Sequence, residues 1–138
     1  MLSSDTRYMD PAEPVIANRL RHEDIVWLAT VRPDGSPHVT PVWFVFDDGT
    51  WWIGCNAGSV KVRNCRDQPM VSLALDDGRR PVVAEGAVRV HTAEFPDAAV
   101  ALLARKYDGW DITADDGSGP RALIEVRTTR WLLRGDAQ

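Results

Sequence analysis

The sequence predicts a mainly β protein with a few helices (α+β), built on an antiparallel sheet that is closed or partly closed. With 138 residues, the chain is long enough for one domain with a core and short for two. Six segments rich in valine, threonine and aromatic residues are separated by turn sequences or by short helical patterns. No strand–helix–strand repeat of parallel-sheet length occurs, and no Gly-x-Gly-x-x-Gly follows a strand. These two observations argue against a Rossmann dinucleotide site.

The first element of the domain is a helix. Residues 1–13 contain Pro11, shortly before Pro14, and no periodic apolar pattern, so we expect a flexible leader there and a single domain over residues 14–138. Val15, Ile16 and Leu20 then recur at helical spacing, which predicts a short amphipathic helix.

Three strands in an antiparallel meander are predicted next. Gly35 and Gly49 lie in turn sequences where a positive φ favours glycine. From Val42 to Phe46 both alternating faces of the second strand are apolar, so we expect both faces to be covered, by a helix, a second subunit or an apolar ligand. The predicted strands are Val26–Val31, Pro37–Phe46 and Thr50–Cys55.

The second half of the chain alternates short helices with strands. Ser59 is a good N-cap and Pro69 ends a helix, which predicts a helix over Val60–Asp67. A further helix begins near Pro96 and ends before Gly109. Residues 108–120 are rich in glycine and aspartate and predict a long surface loop, a kind that is usually functional or mobile. The remaining predicted strands are Met70–Leu75, Val82–His91 and Ala122–Leu133.

Composition and charge exclude several classes of function. Sixteen basic against twenty acidic residues give a net charge of −4, which argues against binding nucleic acid through bulk charge. No apolar run is long enough to cross a membrane and no secretory signal is visible, so we expect a cytoplasmic protein. Cys55, Cys65 and three scattered histidines lack the spacing of metal ligands, so no metal site is expected. Both cysteines are predicted to be small buried hydrophobic residues.

The candidate site is the segment Asn56–Lys61, between the third strand and the short helix. A helix N-terminus presents unpaired N–H groups and the positive end of the helix dipole, which together attract anions. Gly58 allows close approach of an oxygen, and the Ser59 hydroxyl can donate a hydrogen bond. The helix dipole disfavours Lys61 in the first turn unless an anion binds there. These residues are equally compatible with an ordinary capped helix whose basic side chains are solvated.

The surrounding residues resemble the pyridoxamine 5′-phosphate oxidase-like family of flavin-binding split β-barrels. Within that family, Pro41–Phe44 and Lys106–Trp110 are similar to the deazaflavin-dependent reductases of actinobacteria, which use coenzyme F420. The segments that carry the family resemblance are Leu28–Val31, Asp34–Pro37, Pro41–Phe44, Asn56–Lys61, Gln68–Leu73 and Glu85–Gly86.

This resemblance implies a fold and a cofactor site. The fold would be a six-stranded split barrel of the FMN-binding type, paired as a homodimer with two cofactor sites at the subunit interface. The first turn of the short helix would hold the cofactor phosphate, and the second strand would run along the ring. Asn56 would lie beside the phosphate or the ribityl chain, and Arg63 could reach the tail. The residues placed against the cofactor are Thr40, Pro41, Val42, Trp43, Asn56, Ser59, Val60, Lys61 and Arg63.

The activity implied is hydride transfer between coenzyme F420 and a conjugated small-molecule acceptor. Two alternatives are an FMN-binding reductase or oxidase and a non-catalytic flavin-binding protein. Vitamin B6 oxidase activity is not expected, because the basic residues of such oxidases on the second strand, and their Arg-x-His segment near the C-terminus, are missing. No catalytic side chain is identified. For Tyr107 and Trp110, core packing is the simpler expectation, and contact with the ring in the neighbouring subunit is the alternative.

Overall fold

Three helices and seven strands make up the protein in a computed structural model, which describes residues 14–135. The predicted leader, residues 1–13, lies outside the described residues. None of the helices within 14–135 is long and apolar enough to span a membrane. In chain order the elements are α1 (Pro14–His22), β1 (Ile25–Val31), β2 (Pro37–Trp43), β3 (Val45–Asp47), β4 (Thr50–Asn56), α2 (Val60–Asp67), β5 (Met70–Leu75), β6 (Val82–His91), α3 (Asp97–Lys106) and β7 (Arg121–Arg134).

All seven strands form one antiparallel sheet in the order β2-β1-β5-β6-β7-β4-β3. The edge strands β2 and β3 follow each other in the chain and are separated by Phe44 alone. The sheet therefore curls until its two edges meet at Phe44, as in a split barrel. The prediction of six strands is wrong by one, because the segment predicted as a single strand, Pro37–Phe46, is broken into two.

The break between β2 and β3 coincides with hydrogen bonds between the backbone of Phe44 and the side chain of Tyr107. The backbone N–H of Phe44 donates to the Tyr107 hydroxyl at 2.8 Å, and the same hydroxyl lies 2.8 Å from the carbonyl oxygen of Phe44 and 2.7 Å from that of Asp24. The backbone groups of Phe44 thus bond to a side chain instead of a neighbouring strand. As a result β2 pairs with β1, and β3 pairs with β4.

Apolar side chains fill both faces of the curled sheet. Trp51 and Trp52 point to opposite faces, as predicted from their adjacent positions: Trp51 is fully buried inside the barrel, and Trp52 packs in an outer cluster with Leu103 of α3. The Trp51 indole N–H donates to Thr128 Oγ1 at 2.9 Å, so this buried polar group has a partner.

The outer face of β2 is partly exposed in the single chain. Val42, Phe44 and Val45 are buried, but Trp43 is 49% exposed. The expected cover of residues 42–46 on this face by a second subunit or an apolar ligand stays a prediction.

Candidate functional site

The candidate site is built where β4 ends and α2 begins. Ser59 occupies the N-cap position with extended backbone (φ −70°, ψ 155°), but its side chain makes no capping hydrogen bond; Ser59 Oγ lies 3.9 Å from Cys55 Sγ. The first amides of a helix have no acceptor within the helix. These amides are thus available to an anion, whereas the Ser59 hydroxyl would exchange its long hydrogen bond to Cys55 Sγ for one to the anion.

Gly58 has ordinary backbone geometry. Its φ lies outside the positive region, and a Cβ added there would meet nothing within 4 Å. The space next to the Gly58 Cα is therefore open. Close approach of a ligand oxygen to Gly58 stays a prediction.

A cleft of about 240 Å³ lies between β2, β4, α2 and α3, and we call it the aromatic cleft. It brings together four of the predicted site residues, from two distant segments of the chain. The lining residues are Pro41, Val42, Trp43, Gly54, Cys55, Lys61, Leu103 and Trp110.

The wall of the aromatic cleft includes aromatic side chains from the segment after α3. Trp43 stacks on Tyr107 with ring centroids 4.5 Å apart and planes within 2°. Trp110 stands nearly perpendicular to Trp43, at 6.3 Å and 82°. Tyr107 and Trp110 both pack against the outer apolar cluster, as expected, and Trp110 also lines the cleft. The similarity of Lys106–Trp110 to the deazaflavin-dependent reductases drew attention to this segment, but it did not predict the stacking of Tyr107 and Trp110 with Trp43.

A second cleft of about 310 Å³ lies on another side of the N-terminus of α2, and we call it the arginine cleft. Ser59 and Arg63, both predicted site residues, line it together with Arg66. Its remaining lining residues are Ala57, Gly58, Val62 and Asp67. The first turn of α2 separates the two clefts, since Lys61 lines one and Ser59 lines the other.

Three predicted site residues line neither cleft. Thr40 lies on β2 opposite Leu28, and its Oγ1 is buried without a hydrogen-bond partner in the described part of the chain. Asn56 is exposed at the end of β4, and its carbonyl oxygen accepts from the N–H of Ser59 at 3.1 Å. Val60 is largely exposed at the start of α2. A polar ligand edge would satisfy Thr40 Oγ1, so this orphaned hydroxyl fits a ligand better than it fits plain barrel packing.

Of the two cysteines predicted to be buried, Cys65 is buried and Cys55 is half-buried. Burial raises the pKa of Cys65 to about 11 and also raises the pKa of Cys55. Both thiols are therefore protonated at neutral pH and neither is an activated nucleophile. Cys65 packs in the core, and half-buried Cys55 forms part of the aromatic cleft.

Another cleft, about 460 Å³, lies elsewhere, between α1, β3 and α3. Its basic side chains, Arg21, Arg105 and Lys106, belong to the last turns of two helices, where the helix dipoles favour cations. The positive charge of this cleft is thus explained by its position at the C-terminal ends of two helices. Within residues 14–135, no group of three or more histidine, cysteine, aspartate or glutamate side chains could hold a metal ion.

Comparison with solved structures gives relatives of the same architecture. One is an F420 reductase, 29% identical, with 83% of this chain and 93% of the other covered and a TM-score of 0.66. Another is the conserved hypothetical protein Rv2991 of Mycobacterium tuberculosis, 29% identical, with 87% and 82% covered and a TM-score of 0.69. The heme storage protein HutZ of Vibrio cholerae, at 15% identity, covers 91% of this chain and 96% of its own with a TM-score of 0.74, and shows the fold alone.

A search of curated proteins gives no match. The sequence profile described as pyridoxamine 5′-phosphate oxidase matches residues 12–135, nearly the whole chain. With this match and a curled antiparallel sheet over the same residues, the chain belongs to the pyridoxamine 5′-phosphate oxidase family.

Proposed function

We propose that this protein is an oxidoreductase that uses coenzyme F420 for hydride transfer to a conjugated small molecule. One observation carries the proposal: a cleft with aromatic walls and a cleft with two arginines lie on either side of one anion-ready helix N-terminus. Coenzyme F420 has the matching order of groups, a planar ring, a phosphodiester and a carboxylate-bearing tail. The similarity to an F420 reductase over most of both chains supports the same choice.

In this proposal each group of residues has a distinct task. Ser59 and Lys61, with the first amides of α2, hold the phosphoryl group by charge-assisted hydrogen bonds. Pro41, Val42 and Trp43 position the ring and exclude water from it. Arg63, together with the adjacent Arg66, attracts the anionic tail. When bound, the reduced deazaflavin supplies the hydride.

FMN is the rival ligand within the same family. FMN ends in a phosphate monoester, so it would use the aromatic cleft and Lys61 but would leave the arginine cleft empty. A non-catalytic flavin-binding protein would show the same binding without turnover. The arginine cleft therefore distinguishes F420 from FMN, and turnover distinguishes an enzyme from a binding protein.

We further propose that the protein acts as a homodimer with its cofactor sites at the interface. Trp27, Val39, Trp43 and Met70 lie on the same outer face of β2, β1 and β5, and each is at least 37% exposed. Exposed apolar side chains on one sheet face are typical of a protein interface. Because Trp43 also lines the aromatic cleft, a partner on this face would help to close that cleft.

Titration of the ligand-free protein with F420 and with FMN tests the cofactor. Lys61→Ala should weaken binding of either ligand by about 1.5–3 kcal/mol, since it removes a charge-assisted hydrogen bond to the phosphoryl group. Arg63→Ala should weaken F420 binding and leave FMN binding unchanged. Arg130→Ala, which removes one exposed positive charge far from both clefts, is the control.

Tighter binding of FMN than of F420, or an Arg63→Ala variant that binds F420 normally, would refute the choice of deazaflavin. Tight F420 binding without oxidation of the reduced cofactor by any conjugated acceptor would leave a binding protein.

A further inference from the structure

We propose that Trp110 is a specificity-determining residue, which selects ligands by their planar ring and is held in place by Gly54 and Arg121. The inference rests on the proposed function, because it concerns the ring end of the same site. It assigns a specific role to the segment between α3 and β7, which the sequence predicts as a long surface loop of a kind that is usually functional or mobile.

The first support is the seat of Trp110 on β4. A Cβ added at Gly54 would lie 2.7 Å from Cη2 and 2.9 Å from Cζ3 of Trp110, and 3.1 Å from Cδ1 of Ile112. The six-membered ring of the indole thus rests directly on the backbone of Gly54. Any larger residue at position 54 would push the indole out of this position.

The second support is the clamp provided by Arg121. Its guanidinium lies 4.8 Å from the centroid of the Trp110 ring, a cation–π distance. The same guanidinium donates to the carbonyl oxygens of Asp111 at 3.2 Å and Ile112 at 3.4 Å, and forms an ion pair with Asp116. Ile112 is itself buried in the outer apolar cluster, so the segment is fixed on the C-terminal side of Trp110.

The third support is the relation of Trp110 to Trp43. Trp43 is held by stacking on Tyr107, and Trp110 stands nearly perpendicular to it across the aromatic cleft. The backbone of Trp110 is also held in place, because its N–H donates to the carbonyl oxygen of Tyr107 at 3.0 Å. Two rigid aromatic planes at a right angle form a corner. A flat aromatic ring can stack on one plane while its edge meets the face of the other, which is a favoured geometry for aromatic groups.

Binding of ring-bearing and ring-free phosphates to the ligand-free protein tests this role. The ligands are F420, FMN and ribitol 5-phosphate, and the variants are Trp110→Ala and Gly54→Ala. Gly78→Ala is the matched control, because a Cβ at Gly78 meets nothing within 4 Å and its φ is not positive. Near-ultraviolet circular dichroism of each ligand-free variant reports whether the tryptophan side chains have moved.

We expect Trp110→Ala and Gly54→Ala to weaken the ring-bearing ligand that the wild type binds by about three- to tenfold, the range for one aromatic contact. Binding of ribitol 5-phosphate should not change, and Gly78→Ala should resemble the wild type. Gly54→Ala should also alter the near-ultraviolet spectrum, since it moves Trp110 without removing it.

Equal weakening of all ligands, or no weakening, would overturn the role of Trp110 and leave the proposed function intact. A wild-type protein that binds ribitol 5-phosphate but neither F420 nor FMN would instead overturn the proposed function.

Discussion

The hydroxyl group of Tyr107 bonds the backbone at the point where the predicted second strand, Pro37–Phe46, breaks. Tyr107 contacts the backbone of Phe44, 63 residues earlier in the chain, on both its N–H and its carbonyl side. No local pattern around Phe44 could predict this, because the apolar alternation from Val42 to Phe46 is typical of one continuous strand. Ser59 shows a similar limit: its type and position predict the N-cap, but its tertiary surroundings leave the hydroxyl without a capping bond.

Replacing Tyr107 by phenylalanine should destabilise the fold while keeping the stack on Trp43. The Phe44 N–H and the Asp24 carbonyl would lose their partner, which costs about 1–3 kcal/mol. Urea denaturation measures the change in the free energy of unfolding. Tyr107→Leu, which also loses the stack, should cost more, and an unchanged Tyr107→Phe variant would show that the break at Phe44 does not depend on the hydroxyl.

Lys106 should make stability depend on pH in the alkaline range. Burial lowers its pKa from 10.5 to about 8, partly opposed by the charges of Asp24 and Glu23. Between these pH values the unfolded state binds more protons at this residue than the folded state, so its contribution to stability rises with pH. The stability of the wild type relative to Lys106→Met should therefore increase from pH 8 to about pH 10.

Chemical denaturation of both proteins at several pH values measures this difference. Comparing the two removes the opposite contribution of the Cys65 thiol, whose raised pKa lowers stability with pH in both proteins. A difference that stays constant over this range would show that Lys106 is not desolvated in the folded state.

At the scale of elements, short-range signals predicted most boundaries. The bounds of α2, β5 and β6 are confirmed, because Ser59, Pro69 and the turn residues near Gly78 are local start and stop signals. The candidate site combines a local and a long-range arrangement. The end of β4 and the first turn of α2 are adjacent in sequence, whereas the meeting of Trp110 with Gly54 depends on the tertiary fold.

The pairing of β6 with β7 should depend strongly on Gly86. A Cβ there would lie 2.5 Å from Cγ1 of Val126 and 2.7 Å from the carbonyl oxygen of Arg127, next to a register shift between Glu85 and Gly86. Gly86→Ala should therefore destabilise the protein by about 1–3 kcal/mol, as overpacking does. Thermal unfolding measures it, with Gly78→Ala as the unhindered control; equal melting temperatures of the two variants would contradict the prediction.

At the scale of the whole molecule, the exposed apolar side chains on the outer face of β1, β2 and β5 favour the formation of a dimer through this face. If this face pairs two copies, Val39→Glu should convert the dimer into a monomer, because it places a charge in the apolar contact. Sedimentation velocity measures the mass. Leu132→Glu, at an exposed apolar residue of β7, is the control and should remain dimeric. A monomeric wild type would refute the dimer, and an unaffected Val39→Glu dimer would place the interface on another face.

The position of β7 within the sheet also has a consequence for biosynthesis. β7 follows all the other described strands in sequence, yet it lies between β6 and β4 and supplies the hydrogen bonds that join the β3–β4 hairpin to β6. During synthesis on the ribosome, the six strands before β7 therefore cannot complete the sheet by themselves. A nascent chain stalled before Arg121 would keep unpaired strand edges, which chaperones recognise.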